Sequence, residues 1–387
     1  MLTTDAPLAP RAGDARDLSL PTPPTRSWNE ILGPYRAPHL GRSVLQLLST
    51  VLLFGVACAA MLWSLDVSYA LTLALALPAA GLLIRLFIIQ HDCGHGAFFS
   101  SRRANDAVGS LIGVLMLTPY HYWRRTHSIH HATHGDLGRR DLGDVMTLTV
   151  HEYRGLSRKG RLGYRLYRNL FVMLVLGPIY QFGIKHRFPF DAPRSWRREW
   201  ASVMWTNAGL AALFLAAWQT IGLGRFFLVY TPVMLITAAT GIWLFYVQHQ
   251  FEDTYWTDSS RWSFHRAGLE GSSFYDLPPV LHWFTGNIGY HHIHHLASRI
   301  PNYRLARCFE ENPELQQVTR LSLRESFRCA RFKLWDEERG KLISFREMRA
   351  RFPLPAAGTA KLRQRALARR HRDARELPAA ATEDLRA

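Results

Sequence analysis

The chain has 387 residues, of which 48% are hydrophobic and 12% aromatic, and its formal net charge is +17. A basic protein that binds nucleic acid can reach that charge, but it has no use for the long apolar runs found here, so nucleic acid is excluded as a partner. A membrane protein whose Lys and Arg residues lie mainly on one side of the bilayer fits both observations. The four cysteines are scattered and predict neither a zinc site nor a disulfide framework.

The two ends of the chain differ in composition from its middle. Residues 1–27 are rich in Pro, Ala, Asp and Arg and contain no signal-peptide core, so a disordered tail is predicted. Residues 351–387 are strongly basic and are predicted to form a second disordered tail. The folded domain is therefore expected to cover residues 28–350.

Four apolar runs are long enough to cross a bilayer. They cover residues 43–65, 69–90, 202–221 and 226–247. A hydrocarbon core of about 30 Å needs about 20 helical residues, and each run meets that length. Only residues 66–68 and 222–225 separate the runs within each pair. The runs are therefore predicted to form two membrane hairpins whose outer ends lie on one side.

Two shorter apolar segments, residues 105–120 and 170–184, lie between the hairpins. Both are too short to span a bilayer, and Gly177 and Pro178 are expected to interrupt the second. Each is predicted to be interfacial or re-entrant. Arginine and lysine crowd residues 124–165, which the positive-inside rule assigns to the cytoplasmic face. A multi-pass protein of the bacterial inner (plasma) membrane, with its active site on the cytoplasmic side, is expected.

Three histidine clusters have spacings that place their imidazoles on one face of a helix. Two follow the pattern His-x-x-His-His and one the pattern His-x-x-x-His; their members are His91, His95, His127, His130, His131, His291, His294 and His295. With 18 histidines in 387 residues, composition alone predicts roughly 0.04 copies of the His-x-x-His-His triplet, and two are present. The clusters are therefore predicted to bind metal.

The residue types indicate how many metal ions such a site binds and which reaction they support. Eight clustered imidazoles exceed what one ion needs, so two metal ions are predicted; imidazole suits Zn, Cu, Fe and Ni alike. Because the clusters follow apolar runs, an apolar substrate from the lipid is expected. Zinc has no redox chemistry, whereas attack on an inert hydrocarbon needs a metal that activates dioxygen, as non-haem iron does. The residues thus predict an O2-dependent membrane oxidoreductase with two irons.

Three stretches carry a resemblance to a known family: HDCGHGAF from His91, HYWRRTHSIHHATHGDLGRRDLGD from His121 and HWFTGNIGYHHIHHLASRIPNYRL from His282. The chain resembles the membrane fatty acid desaturases, and within them the acyl-lipid Δ12 (omega-6) and omega-3 type. The resemblance implies an all-α membrane protein with four transmembrane helices in two hairpins and a cytosolic helical cap that holds a histidine-rich di-iron site. It also implies that O2 is a co-substrate and that a second double bond, of the Δ12 type, enters an acyl chain in membrane lipid.

The resemblance adds a ninth metal ligand just beyond the fourth apolar run. This is His249, and the neighbouring Glu252 and Asp253 are expected to orient it. The predicted ligands are His91, His95, His127, His130, His131, His249, His291, His294 and His295. No catalytic residue is predicted beyond these. Asn287, Asp92 and Asp144 are candidates for contacts through water or through a second ring nitrogen. Supporting roles are expected for the histidines at positions 121, 134, 265, 282 and 292.

Three further expectations concern partners and alternatives. No His-Pro-Gly-Gly box of a fused cytochrome b5 is present, so a separate electron donor, a ferredoxin or a cytochrome b5, is expected. The nearest alternative is a hydroxylase, acetylenase or ketolase on the same di-iron scaffold. A metal transporter is an alternative of a different class, but it would place ionisable ligands within the spans, which are nearly free of His, Asp and Glu.

Overall fold

A computed structural model describes residues 26–140 and 143–352 of the chain. The two predicted tails therefore lie almost wholly outside the described residues. At the inner edge of the first tail, Ser27 makes the N-terminal hydrogen bonds of helix α1 (Trp28–Leu32) through a capping box with Glu30. Its neighbour Arg26 pairs with Glu314 at 3.0 Å.

Four helices are long and apolar enough to cross a membrane: α2 (Leu40–Ser64), α3 (Tyr69–His95), α9 (Arg197–Thr220) and α10 (Leu223–His249). They contain the four predicted spans almost completely, and the prediction of a four-span helical fold is confirmed. Helices α3 and α10 have 27 residues each and are therefore about 40 Å long, some 10 Å longer than a hydrocarbon core. The surplus length carries the histidines at their C-terminal ends beyond the apolar layer.

The two helix hairpins are joined at their turns and along their length. Arg225 at the start of α10 donates to both carboxylate oxygens of Asp66 in the α2–α3 turn, at 2.7 and 2.8 Å. Further along, the Thr237 hydroxyl of α10 donates to the Ala80 carbonyl of α3 at 3.2 Å. Ala76, Ala79 and Ala80 are fully buried at this contact, and such small residues allow two helix backbones to approach closely.

The part of the chain that we call the cap consists of residues 26–39, 96–140, 143–196 and 250–343. It comprises the segments that precede, connect or follow the four long helices at the ends opposite the two turns. Its helices after α1 are α4 (Arg102–Leu115), α5 (Tyr120–Thr133), α6 (Val150–Gly155), α7 (Arg158–Tyr167), α8 (Val172–Lys185), α11 (Phe264–Glu270), α12 (Pro279–Phe284), α13 (His291–Leu296), α14 (Asn302–Glu311) and α15 (Leu323–Cys329). Two 3-10 turns, Gly33–Tyr35 and Pro313–Leu315, complete the helical part.

Helix α8 runs through Gly177 and Pro178 without the interruption that the sequence predicted. Its hydrogen bonding is of the wider π type on both sides, over Val172–Leu176 and Gln181–Lys185. Proline lacks an N–H group and crowds the preceding turn, and the wider turns accommodate this. At about 21 Å the helix remains too short to cross a membrane, as predicted.

Five short strands lie in the cap: β1 (Leu148–Thr149), β2 (Phe274–Asp276), β3 (Arg320–Ser322), β4 (Leu334–Asp336) and β5 (Lys341–Ile343). Strand β1 pairs in parallel with β4, which pairs antiparallel with β5, and β2 pairs in parallel with β3. Leu342 donates its N–H to the Glu252 carbonyl at 2.8 Å, three residues after α10 ends. The strands thus bring residues 320–343, which carry no recognisable motif, back to the outer end of α10.

A second compact unit begins at Ser344, and its described part is helix α16 (Phe345–Arg351). Ser344 and Glu347 form a capping box. The Ser344 hydroxyl accepts from the Glu347 N–H at 3.1 Å, and the Glu347 carboxylate accepts from the Ser344 N–H at 2.8 Å. Because this box satisfies two N–H groups that no helical carbonyl reaches, it explains why a helix starts here.

Candidate metal centre

The nine predicted histidines come together in two groups at the outer ends of α3 and α10. The five-histidine cluster contains His91, His95, His127, His131 and His294, and the four-histidine cluster contains His130, His249, His291 and His295. Within each cluster the ring nitrogens lie within 4.8 Å of one another. The structure therefore joins all three sequence clusters and His249 in one site, and their role as ligands stays a prediction.

Each His-x-x-His-His triplet divides its side chains between the two clusters. In α5, the four-residue pair His127 and His131 belongs to the five-histidine cluster, while His130 belongs to the other. In α13 the arrangement is reversed, since the four-residue pair joins the four-histidine cluster and His294 joins the five-histidine cluster. The sequence pattern placed each triplet on one face and did not predict this division. Both helices therefore contribute histidines to both clusters.

The spacing of the ring nitrogens in the five-histidine cluster fits a bound cation. The Nε2 atom of His127 lies 3.1 Å from the Nε2 atoms of both His91 and His131, and the Nε2 atoms of His294 and His131 are 3.0 Å apart. Two nitrogens bound to one ion at about 2.1 Å are about 3 Å apart when they are neighbours in its coordination sphere. Two lone pairs that face each other at this distance repel unless a proton or a metal ion lies between them.

The four-histidine cluster has the same spacing and is fully buried. The Nε2 atom of His249 lies 3.2 Å from that of His130 and 2.9 Å from that of His291. The buried Nε2 atom of His295 has no hydrogen-bond partner among the described residues. Leaving a buried polar nitrogen without a partner costs free energy, and a metal ion would remove that cost. The residues present therefore fit a second ion.

Two oxygen atoms hold the rings of the four-histidine cluster from behind. The Asp144 carboxylate lies 2.6 Å from Nδ1 of His130 and 3.3 Å from Nδ1 of His134. The Gly271 carbonyl accepts from Nδ1 of His249 at 3.0 Å and also lies 2.9 Å from Nε2 of His134. An Nδ1–H held in this way directs the Nε2 lone pair of the same ring into the cluster.

The pKa values agree with neutral imidazoles facing a cation. Burial, followed by the charges of neighbouring histidines, lowers the pKa of five cluster histidines in α5 and α13 below the usual value; they are His127, His131, His291, His294 and His295. Burial also lowers the pKa of His130, although the charge of and hydrogen bond to Asp144 partly offset it. For Asp144, burial raises the pKa, but the charges of and hydrogen bonds from His130 and His134 outweigh it and hold the pKa well below its usual value. Neutral imidazole beside an ionised carboxylate is the form that binds metal.

Comparison with known proteins agrees with this geometry. Residues 67–326 match the profile of the Fatty acid desaturase family. The chain belongs to the fatty acid desaturase family. It is 48% identical over 316 residues to a fatty acid desaturase of Bacillus subtilis (strain 168), which covers 81% of this chain and 89% of that protein. The resemblance found from the sequence is therefore confirmed, and the chain is an enzyme that desaturates fatty acids.

Plant desaturases are more distant relatives. The sn-2 acyl-lipid omega-3 desaturase (ferredoxin) of Arabidopsis thaliana chloroplasts is 31% identical over 240 residues, which is 58% of this chain and 51% of that protein. The Delta(12)-fatty-acid desaturase of Arabidopsis thaliana is 28% identical over 237 residues, which is 57% of this chain and 60% of that protein.

The other predicted polar residues of the desaturase lie around the clusters. Asp92 has one carboxylate oxygen 3.5 Å from Nδ1 of His91, and its other oxygen accepts from the backbone and side-chain N–H groups of Asn302 at 2.7 and 2.8 Å. Asp92 therefore lies beside a histidine of the five-histidine cluster, and its supporting role stays a prediction. Asn287 has a left-handed backbone with φ 57° and donates its side-chain N–H to the Asn302 carbonyl at 3.3 Å. Its amide contacts that backbone oxygen, and any water-mediated role stays a prediction.

The prediction that Glu252 orients His249 was wrong. Glu252 accepts a hydrogen bond from the Lys341 ammonium at 2.6 Å, and the Gly271 carbonyl takes the position behind His249. The sequence contains no signal for this contact, because every residue carries a backbone carbonyl.

Two aromatic side chains that the sequence analysis missed cover the clusters. Trp123 stacks on His127 with ring centroids 4.6 Å apart, and Phe245 lies 4.9 and 5.3 Å from His130 and His249. Each aromatic residue precedes a cluster histidine by four residues on the same helix. That spacing is a usable sequence signal, because residues four apart share a helix face.

Replacement of His249 tests its assignment as a ligand. His249→Ala removes the nitrogen that lies about 3 Å from two other cluster nitrogens, so bound metal per chain and activity should both fall severely. His292→Ala is the matched control, because the buried His292 ring is bonded to the Leu315 carbonyl at 3.0 Å and belongs to neither cluster. Metal would be measured by elemental analysis of purified protein. Parent-like metal content and activity in His249→Ala would remove it from the ligand set.

Replacement of Asp144 tests the carboxylate behind His130. Asp144→Asn keeps the shape but removes the charge that stabilises the His130 N–H, and metal affinity should fall roughly 10- to 100-fold. Asp258→Asn serves as the control, since Asp258 is half-exposed and pairs with nearby residues such as Arg261. Competition with a chelator measures the affinity. Equal metal retention in the two variants would show that Asp144 has no role at the metal.

Proposed function

We propose that this desaturase uses two irons and O2 to insert a double bond into an acyl chain of a membrane lipid. The observation that supports it is the division of nine imidazoles into two contiguous clusters, with no thiolate or carboxylate as a member. The rings of His131 and His295, one from each cluster, stack at 4.2 Å. Zinc has no redox chemistry, whereas non-haem iron activates O2 for attack on unactivated methylenes.

The residues of the chain divide the work as follows. The five-histidine cluster would hold one iron and the four-histidine cluster the other. When bound, the irons supply the oxidising power that removes two hydrogens from adjacent methylenes, with two further electrons and two protons needed to reduce O2 to two waters. Asp144 and the Gly271 carbonyl keep His130 and His249 oriented. Trp123 and Phe245 present apolar surface beside the clusters, and this surface excludes water from the reacting chain.

The electron donor and the orientation are also proposals. We propose a separate ferredoxin, since the name of the Arabidopsis acyl-lipid desaturase includes that donor. We place the cap in the cytoplasm of a bacterium. The side of the membrane that holds the two turns, residues 65–68 and 221–225, supports this orientation. Arg225 is the one cation in these turns, and Asp66 neutralises it. All other Lys and Arg residues of the described chain except Arg85, discussed below, belong to the cap, to α16 or to the helix ends on the cap side.

The double-bond position can be read from lipids. Expressed in a bacterial host that makes monounsaturated but no polyunsaturated lipids, the protein should yield diunsaturated chains with the new bond at Δ12, as the resemblance of the third histidine stretch predicts. Fatty acid derivatives analysed by mass spectrometry would locate the bond, and His291→Ala is the inactive control. A new bond in a saturated chain would overturn the Δ12 position and leave the desaturase function intact. Hydroxylated chains alone would favour the hydroxylase alternative.

Metal content tests the di-iron assignment. Active purified protein should carry two irons per chain, because two complete sets of imidazoles are present. Elemental analysis against amino-acid quantitation would measure the ratio. His295→Ala removes one ligand of the four-histidine cluster alone and should lower the ratio toward one. Fully active parent protein with one iron, or with zinc alone, would contradict the proposal.

A further inference from the structure

Arg85 is a cation within the apolar part of membrane helix α3. It lies six residues before His91 and thus about 9 Å from it along the helix axis. Counted from Tyr69, where α3 begins, it lies about 24 Å into the helix, inside a hydrocarbon core of about 30 Å but close to its outer edge. An ionisable side chain at this depth is costly, and such residues usually bind a specific partner.

No carboxylate pairs with Arg85 anywhere in residues 26–140 or 143–352. Its guanidinium carbon lies 4.3 Å from the centre of the Trp283 ring, and one of its N–H groups donates to the Trp283 carbonyl. Its Nε atom is buried and has no hydrogen-bond partner in the same residues. Both contacts of Arg85 are neutral groups, so its positive charge is held in place without a counter-charge.

Trp283 belongs to α12, and this short helix lies against the outer part of α3. The Phe284 ring of α12 fits against Gly81 of α3, where a Cβ atom would come within 2.6 Å of it. Two other side chains of α12 are exposed in part, Val280 to 63% and Trp283 to 41%. Exposed tryptophan beside apolar residues is typical of the headgroup region of a bilayer. The contact with Trp283 therefore holds Arg85 at the outer edge of the hydrocarbon core, next to the headgroup region.

We propose that Arg85 binds the phosphate of the glycerophospholipid whose acyl chain is desaturated, with Trp283 holding the guanidinium in place. This inference rests on the proposed action on a membrane lipid. A guanidinium presents paired N–H groups that match two phosphate oxygens, and it binds most strongly where water is scarce. Because Arg85 and His91 lie on one helix, a phosphate at Arg85 would fix the distance from the headgroup to the metal centre.

The alternative is a purely structural role, in which Arg85 only anchors α12 to α3 through the Trp283 carbonyl. The two roles differ in their dependence on the substrate headgroup. An anchor affects every substrate equally, whereas a phosphate site favours lipids that carry a phosphate. The ratio of kcat/KM for phosphatidylglycerol to kcat/KM for a diacylglycerol with the same acyl chains separates the two roles, because general damage to the enzyme cancels in it.

The experiment compares the parent with Arg85→Gln, both loaded with iron, in the same detergent micelles. The parent should prefer phosphatidylglycerol roughly tenfold or more, the factor that a charge-assisted hydrogen bond supplies. Arg85→Gln should reduce the ratio to near one. Arg42→Gln is the matched control, since Arg42 is an exposed cation at the cap-side end of the neighbouring helix α2. This variant should keep the ratio of the parent.

Arg85→Lys is the second variant, to be used if Arg85→Gln does not fold into the membrane with its iron. It keeps the charge but loses the paired N–H groups, so the ratio should fall severalfold. A parent-like ratio in whichever variant assembles with iron would overturn the proposal, and so would a parent enzyme without preference for the phospholipid. A parent that desaturates neither lipid would instead contradict the proposed function.

Discussion

The structure depends on packing nine imidazoles so closely that their nitrogens are about 3 Å apart in a buried space. Where the lone pairs of two neutral rings face each other at this distance, a proton or a metal ion between them is needed to stabilise the contact. This need explains the polar atoms around the clusters. Asp144 and Gly271 hold the outer nitrogens of His130 and His249, and Asp92 lies behind His91. The other ring nitrogen of each of these histidines is left to face the rest of its cluster.

The division of each histidine triplet fixes how the two histidine clusters are related. Since α5 and α13 each contribute to both clusters, the separation of the clusters is set by helix geometry, at about 1.5 Å of rise per residue, and hardly by loops. Helix α3 contributes only to the five-histidine cluster and α10 only to the four-histidine cluster. Two membrane helices thus deliver one cluster each, and two cap helices join them.

The sequence predicted the parts of the structure that follow from length and period. Run length located four spans, and three- and four-residue spacings found eight of the nine clustered histidines. His249 is isolated in the sequence, so spacing could not reveal it, and only the family resemblance pointed to it. Contacts made by backbone atoms, such as the Gly271 carbonyl at His249, leave no trace in residue type. The short strands were missed because two or three residues do not establish an alternating pattern.

Helix α3 relates the membrane to the chemistry. Between Arg85 and Cys93 it contains neither Gly nor Pro, so this segment is a regular helix that carries a cation at one end and His91 near the other. Arg85 meets Trp283 from 198 residues away, in the short helix that precedes the third histidine cluster. The same contact therefore joins α12 to α3 six residues before His91. If Arg85 binds a lipid group as proposed, the distance from that group to the histidine clusters is set by the length of α3 between Arg85 and His91.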